Sequence, residues 1–487
     1  MTRWVAMGAI AVVAAALWLV VTGGQSPEER ASEVAGGAAA SATGDDPLAY
    51  DPERRDEFEQ RAATGTSEVI YLNSPGGVVA TAQRTDAWRD EVERAAAARG
   101  VDPDRLEALV FLESAGRPEV MAGETPAAAS GLAQITPSAA ADFLGMKLDL
   151  NESKVLTRKI AKADAKGDSK EARKLSAKRA KIDERFEPEK ALDGAATYLE
   201  KAGERFGADD LATVSYHMGI GNLESVIRAY AGADEGAAIG DVLSAGGELP
   251  YAQLYFDSAP DSHPEAYDLL AGFGDDSAEY YWKILASERI MGEWRHDRPK
   301  LERTAELATN KATLEEVYHP EEETRVYAGP GDVESATGDG ELLPLPDAAD
   351  RGWVVDSQMG ELAGELGAEP EVYRALRPEA LATLAYMGSL VKELSGASQP
   401  LRVTSSVRDR AYQDLLAANN PEATDAYSLH TTGYSFDVLR DYENDLQAAA
   451  FQFALDRLQA LAVIDYAVEP RAIHVTVSAL GAELLPP

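Results

Sequence analysis

The sequence predicts a mainly α-helical domain followed by an α+β domain, both behind an N-terminal transmembrane helix. Three observations carry this. An uninterrupted apolar run extends from Trp4 to Val21 after the single charge of Arg3. Apolar residues then recur at helical spacing from about residue 85 to residue 325, with Gly and Pro as breaks. After Leu345 short β-branched runs alternate with helical stretches, which is the pattern of an α+β unit. At 487 residues the chain can bury two or three separate cores.

Residues 1–22 are expected to be the anchor, because the apolar run is longer than the core of a signal peptide; a cleaved leader is the alternative. Arg3 on the short side orients the rest of the chain to the outside of the membrane. Residues 23–80, rich in Gly, Ala, Ser, Pro and acids without sustained period, are expected to be a flexible tether, with a short strand at Val69 to Leu72. The first domain spans 81–235 and opens on a capped helix from Thr85 to the glycine stop at Gly100. A helical extension covers 236–325, and its aromatic stretches YAQLYF, AEYYW and MGEW read as core packing rather than a sugar-stacking face. The Pro and Gly of 326–345 mark a linker. In 346–487 the pattern gives helical stretches at 356–367 and 377–395, a strand from Leu401 to Ser405, a helix from about Asp409 to Ala418, and a hairpin turning at Glu469-Pro470-Arg471.

Eighty-three acids against 46 bases give a formal net charge of −37, which argues against nucleic acid and against anionic lipid surfaces as partners. Residues 154–185 break the rule with 12 bases and 5 acids. Their Ala, Lys and Arg content, with Gly167-Asp168 in the middle, reads as an inserted helical hairpin, a solvated projection in preference to a docking surface for an anionic wall polymer. There is no cysteine, so no disulfide framework supports the fold.

The chemistry begins in DPDRLEALVFLESAG. Leu106, Leu109 and Val110 fall at i, i+3 and i+4, so Glu113 at i+7 lies on the same inward face, where a leucine would be expected. Asp102 is a good N-cap, Pro103 suits the first helical position, and Gly116 with Pro118 closes the helix beside the carboxyl. Partial burial raises a carboxyl pKa, as a general acid at neutral pH requires.

Glu113-Ser114, then Gly131-Leu132-Ala133-Gln134 with Thr136 to Ala139, then Ser215-Tyr216-His217 to Asn222, resemble in order the three signatures of the lysozyme-like lytic transglycosylases. Arg185 to Lys201 is similar to that family's connecting helix. The resemblance implies a lysozyme-like catalytic domain that needs no cofactor and cleaves the MurNAc–GlcNAc bond of peptidoglycan with formation of anhydro-MurNAc. It implies Glu113 as acid then base, Gln134 orienting substrate with Gly131 permitting close approach, Tyr216 lining the site, and Ser114 holding the glutamate or substrate. Ala133 and His217 depart from the family's usual methionine and asparagine, and His217 is either a subsite residue or a packed one. A muramidase and a non-catalytic peptidoglycan-binding scaffold are the alternatives.

Downstream, SLHTTGYSFDV holds His430 and Asp437, and AIHVTV holds His474. Two imidazoles and a carboxylate suffice for a catalytic zinc with an open position. With TSSVRDRAYQ upstream they resemble the zinc D,D-carboxypeptidases of the M15/VanY-like type. That resemblance implies Zn2+ on His430, Asp437 and His474, with Arg408 binding substrate. The family's catalytic glutamate stands three residues before the second histidine, where this chain has Arg471. Three readings follow: a peptidase using Glu469 as base, a zinc-binding domain without catalysis, and a metal-free fold. Both resemblances imply peptidoglycan as the partner and a bacterial cell envelope as the place, and the Trp4 to Val21 run with Arg3 adds the expectation of a membrane anchor with the domains outside the cytoplasm.

Overall fold

The computed structural model describes residues 25–419 and 427–487. The expected N-terminal anchor, 1–22, lies outside them; among the described residues no helix is long and apolar enough to cross a membrane. Helix predominates. The chain forms two compact units, one of Pro52–Glu306 and one that joins the N-terminal segment up to Asp51 to Leu307–Pro487.

The Pro52–Glu306 unit is all helical. Its core gathers Val92, Leu106, Leu109, Val110, Leu132, Leu192, Leu199, Tyr280 and Ile284. The Pro103–Ser114 helix starts as its sequence dictates: the Asp102 carboxylate accepts from the Asp104 amide at 2.9 Å and Pro103 takes the first turn. Its end differs from the expected glycine stop. Ala115 itself turns left-handed at φ 53°, and Gly116 follows at φ 71°. A side chain at Gly116 would meet the Arg84 and Thr85 backbone at 2.7 Å, so the glycine serves close packing of two segments.

Several sequence expectations are corrected here. Residues 25–80 of the expected tether are folded. Pro27–Ser41 is a helix with a capping box of Ser26 and Glu29, and it buries Val34, Ala35 and Ala38 against the Pro378–Ser395 helix. Arg55–Gly65 buries Phe58 and Ala62 in the other unit, with Phe58 edge-on to Phe256 at 5.1 Å. Alanine and glycine make a helix face that packs closely without looking apolar, so composition alone read as linker. Val69 to Leu72 lie in a short helix, Glu68–Asn73, not a strand. The helix expected over 85–100 is two, Val78–Asp86 and Arg89–Arg99, with Gly100 left-handed at the stop.

The extension of 236–325 is not one body: residues to Glu306 share the unit of Glu113, and those after it belong to the other. Its aromatics Tyr251, Tyr255, Phe256, Tyr281 and Trp282 pack on one another as core. The 326–345 linker is likewise folded, since Pro330 starts the Pro330–Gly338 helix and Tyr327, Val333, Ala336 and Leu342 are buried together.

In the second unit a five-stranded sheet runs in the order Trp353–Val355, Leu401–Ser405, Ser435–Leu439, Ala472–Val477, Ile464–Val468. The first pair is parallel and the rest antiparallel. Helices Pro378–Ser395 and Asp445–Ala460 pack together and against it. The predicted strand at Leu401 and the hairpin strands are present; the helix expected over 356–367 is instead turn and a short 3-10 segment, Ala363–Leu366. The central Ser435–Leu439 strand matters most, because its register sets Asp437 opposite both Ser405 and His474.

Candidate active site and candidate metal centre

Glu113 sits on the last turn of its helix, where the apolar stripe delivers it to a cleft of about 400 Å³. Asn73, Ser74, Pro75, Arg117, Asp276 and Lys283 line the same cleft. Burial raises its carboxyl pKa to about 7, against the opposing hydrogen bond from Tyr280 and the charge of His217. The Tyr280 hydroxyl donates to Glu113 Oε1 at 2.7 Å. Tyr280 comes from the Tyr280–His296 helix, far from any of the three motifs, and sequence reasoning missed it. The AEYYW stretch has a sufficient local explanation as core packing, so nothing in the sequence marks Tyr280 as a site residue.

His217 stacks on Tyr280 with ring centroids 5.0 Å apart and planes 12° from parallel. Its Nε2 lies 3.2 Å from Asp276 Oδ1, and Lys283 donates to Asp276 Oδ2 at 3.0 Å. The bond to Asp276 raises the imidazole pKa, and the Glu113 charge adds to it.

Tyr216 donates to the Ala133 carbonyl at 2.7 Å, and burial with the Glu113 charge pushes its phenol well up. It therefore couples the Gly131–Gln134 loop to the neighbourhood of Glu113. Gln134 takes φ 45° and spends its amide on Gly131 O at 2.8 Å and Val120 O at 3.2 Å, which closes the loop on itself. Gly131, at φ 83°, permits close approach of a different kind from the one expected: a side chain there would fall 1.8 Å from Arg185 O. The approach is backbone to backbone. Arg185, fully buried, pairs with Asp183 and donates to the carbonyls of Pro126, Ala128 and Ile135, fixing the loop from beneath. Ser114 is buried with its hydroxyl on Val110 O at 3.0 Å, so it holds its own helix rather than Glu113.

In the other unit His430, Asp437 and His474 converge, each offering a ligand atom within 4.8 Å of the others. Asp437 Oδ1 lies 3.1 Å from His430 Nε2 and 2.9 Å from His474 Nδ1. Arg408 donates to Asp437 Oδ2 at 3.2 Å and to Gln413 at 3.1 Å. His430 Nδ1 lies 2.7 Å from the Ser406 carbonyl, which can only accept, so that nitrogen carries the hydrogen. Burial, with Arg408 nearby, lowers the His430 pKa to about 4. In the neutral ring Nε2 then turns a lone pair toward a carboxylate oxygen, acceptor against acceptor, and a cation between them resolves the conflict. The donor set fits a metal ion.

A second carboxylate is present, but it is neither Glu469 nor a residue near it. Glu469 is exposed at the hairpin turn, its amide bonded to Ala472 O, and Arg471 is exposed beside it. Glu315, from the short Glu315–Tyr318 helix, reaches His474 Nε2 with Oε2 at 3.2 Å and is held by Lys311 at 2.8 Å. Burial alone would lower the His474 pKa; the bonds to Asp437 and Glu315 outweigh it and raise it to about 10. No local pattern links residue 315 to 474, so the sequence held no sign of this pair.

Among the curated proteins no relative matches the chain. Residues 159–238 match the family described as Transglycosylase SLT domain. The matched stretch includes Tyr216 and His217 and stops short of Glu113 and the Gly131–Gln134 loop, which the fold brings to the same unit. The Pro52–Glu306 unit thus carries an SLT domain, with the peptidoglycan-related, lytic-transglycosylase-type activity that such a domain implies.

Proposed function

We propose that the protein is a lytic transglycosylase that cleaves the MurNAc–GlcNAc bond with Glu113 as its one acid and base. The observation that supports this most directly is the half-buried carboxyl whose pKa is raised to about 7 while a tyrosine hydroxyl fixes one of its oxygens. Protonated Glu113 gives its proton to the glycosidic oxygen as the C1–O bond breaks and the sugar gains oxocarbenium character. The resulting carboxylate then takes the proton of the same sugar's C6 hydroxyl. That oxygen closes on C1, the anhydro ring forms, and Glu113 is protonated again. Tyr216 and Arg185 act by holding the Gly131–Gln134 loop that would flank the substrate.

A muramidase is the second reading, favoured by one observation: Asp276 lines the cleft and could serve a water. Its carboxylate is already committed to His217 and Lys283, which weighs against that role. Mass spectrometry of digested sacculi separates the readings. Anhydro-muropeptides are expected, reducing ends would make the enzyme a hydrolase, and no release would leave a binding scaffold. Glu113→Gln should reduce turnover by roughly a thousandfold, in line with loss of a general acid.

For the second unit we propose a peptidoglycan-peptide site of the D,D-carboxypeptidase-like type in which His430, Asp437 and His474 hold Zn2+. The bound ion would supply a Lewis acid and an activated water. Arg408 would keep Asp437 oriented, and Glu315 would fix His474 with Nδ1 directed inward. Glu315 stands behind the imidazole, so it positions a ligand and leaves the role of base unfilled; this favours retained binding over peptidase activity. Metal analysis of the full chain should find one zinc, and Glu315→Gln should weaken zinc binding by roughly 10- to 100-fold. A chain that takes up no zinc on titration would end the metal reading. Membrane anchoring through residues 1–22 and a cell-envelope location complete the proposal, and fractionation of cells expressing the full chain tests both.

A further inference from the structure

The basic insert is more ordered than a solvated projection needs to be. Leu150–Asp164 and Ser169–Ala180 form two helices packed on each other, with Leu156, Ala163 and Ala172 buried. Each starts on an aspartate cap, Asp149 accepting from the Glu152 amide at 3.0 Å and Asp168 from the Glu171 amide at 3.1 Å. Gly167 makes the turn at φ 70°. At its base the Asp149 amide donates to Ile182 O at 2.8 Å and the Ser153 hydroxyl to Asp183 at 2.7 Å. Asp183 is the partner of Arg185, the side chain that fixes the Gly131–Gln134 loop. The hairpin is therefore held at a set angle to that loop, and its helices carry their charges along roughly 20 Å.

Those charges are unspent. Arg158, Lys159, Lys162, Lys166, Lys170 and Arg173 are exposed, and among the described residues none has an ion pair or side-chain hydrogen bond. Arg55, Arg89, Arg99, Arg105 and Arg295 of the same unit are each paired with carboxylates. The hairpin's own acids offset little, since Glu152 and Glu171 are taken by Lys178 and Lys174. Like charges four residues apart on a helix face, as in Arg158 and Lys162, repel and weaken the helix.

We infer that this hairpin is a docking surface for peptidoglycan, gripping the free carboxylates of its stem peptides and so holding the polymer at the Glu113 cleft. The inference rests on the proposed action of this unit on peptidoglycan. Charge complementarity identifies the partner: a rigid cationic array suits a polymer that presents carboxylates repeatedly, and the acid-rich remainder of the chain would be repelled by the same polymer.

The test uses the full chain and a variant with all six residues changed to glutamine, its fold checked by circular dichroism. Binding to insoluble peptidoglycan freed of attached polymers is measured at low and moderate salt, beside the same material with its carboxylates amidated. The wild type should bind, lose binding as salt rises, and bind the amidated material poorly. The variant should bind roughly tenfold less at low salt and lose its salt dependence, with cleavage of short soluble glycan fragments unchanged. Equal binding by the two proteins, undiminished binding to amidated peptidoglycan, or hairpin-dependent binding to anionic lipid vesicles in place of peptidoglycan would overturn the inference. Hairpin-dependent binding without any glycan cleavage by the wild type would instead overturn the enzymatic reading and leave this one standing.

Discussion

At the scale of single residues the Glu113 carboxyl is caught between burial, which favours its neutral form, and two groups that favour its charge. Its folded pKa of about 7 lies above its ordinary value of 4.5. The folded state therefore holds the proton more tightly than the unfolded chain, and this contribution to stability is full below about pH 4.5 and lost as pH rises through about 7. Glu113→Gln removes the ionisation, so the variant should be more stable than wild type at pH 8, by up to about 3 kcal/mol, and gain nothing at pH 4. Denaturant midpoints at the two pH values measure this. Equal gains at both would show that ionisation is not the cause. His217 supplies a second test. Its positive charge favours ionised Glu113, so His217→Asn should raise the Glu113 pKa and move the alkaline limb of the activity profile to higher pH. An unmoved limb would mean that the imidazole charge is not felt at Glu113.

At the scale of elements the helix bearing Glu113 was readable because local rules agree along it: Asp102 caps, Pro103 starts, and the apolar spacing turns the carboxyl inward. The second site was readable only in part. His430, Asp437 and His474 were visible as residue types, but the strand that aligns them, Ser435–Leu439, is too short to stand out from the loop chemistry around it. Tyr280 and Glu315 were invisible as site residues, since each arrives by tertiary packing from a stretch with its own local explanation. The Gly131 loop makes the element-scale prediction. Gly131→Ala demands a strained φ and a displaced Arg185 backbone together, and should lower the stability of its unit by about 3 kcal/mol or more. A thermal transition unchanged from wild type would show that the loop can move aside.

At the scale of the whole molecule the chain's order and its folded order differ. The helix Pro27–Ser41 belongs to the unit completed by Leu307–Pro487, so a boundary drawn from composition at residue 80 falls inside one unit and misses the true partner of the other. Starting the protein at Pro52 should leave the Pro52–Glu306 unit's transition where it is. The second unit's transition should fall, by about 3 kcal/mol or more, because Val34, Ala35 and Ala38 would no longer cover the Pro378–Ser395 helix. Calorimetry of the two lengths of chain reads both effects at once. The same arrangement governs the order of events during synthesis. The Pro27–Ser41 helix emerges before the intervening unit, while the surface that receives it, and Pro486 against which Gly37 rests, emerge after it. The intervening unit is compact in itself and complete in the chain before then, so it can fold while the earlier helix waits. Completion of the sheet and its histidines thus waits until Ala472–Val477 has been made, and a nascent chain released before that point would present a folded Pro52–Glu306 unit and an unfinished second one.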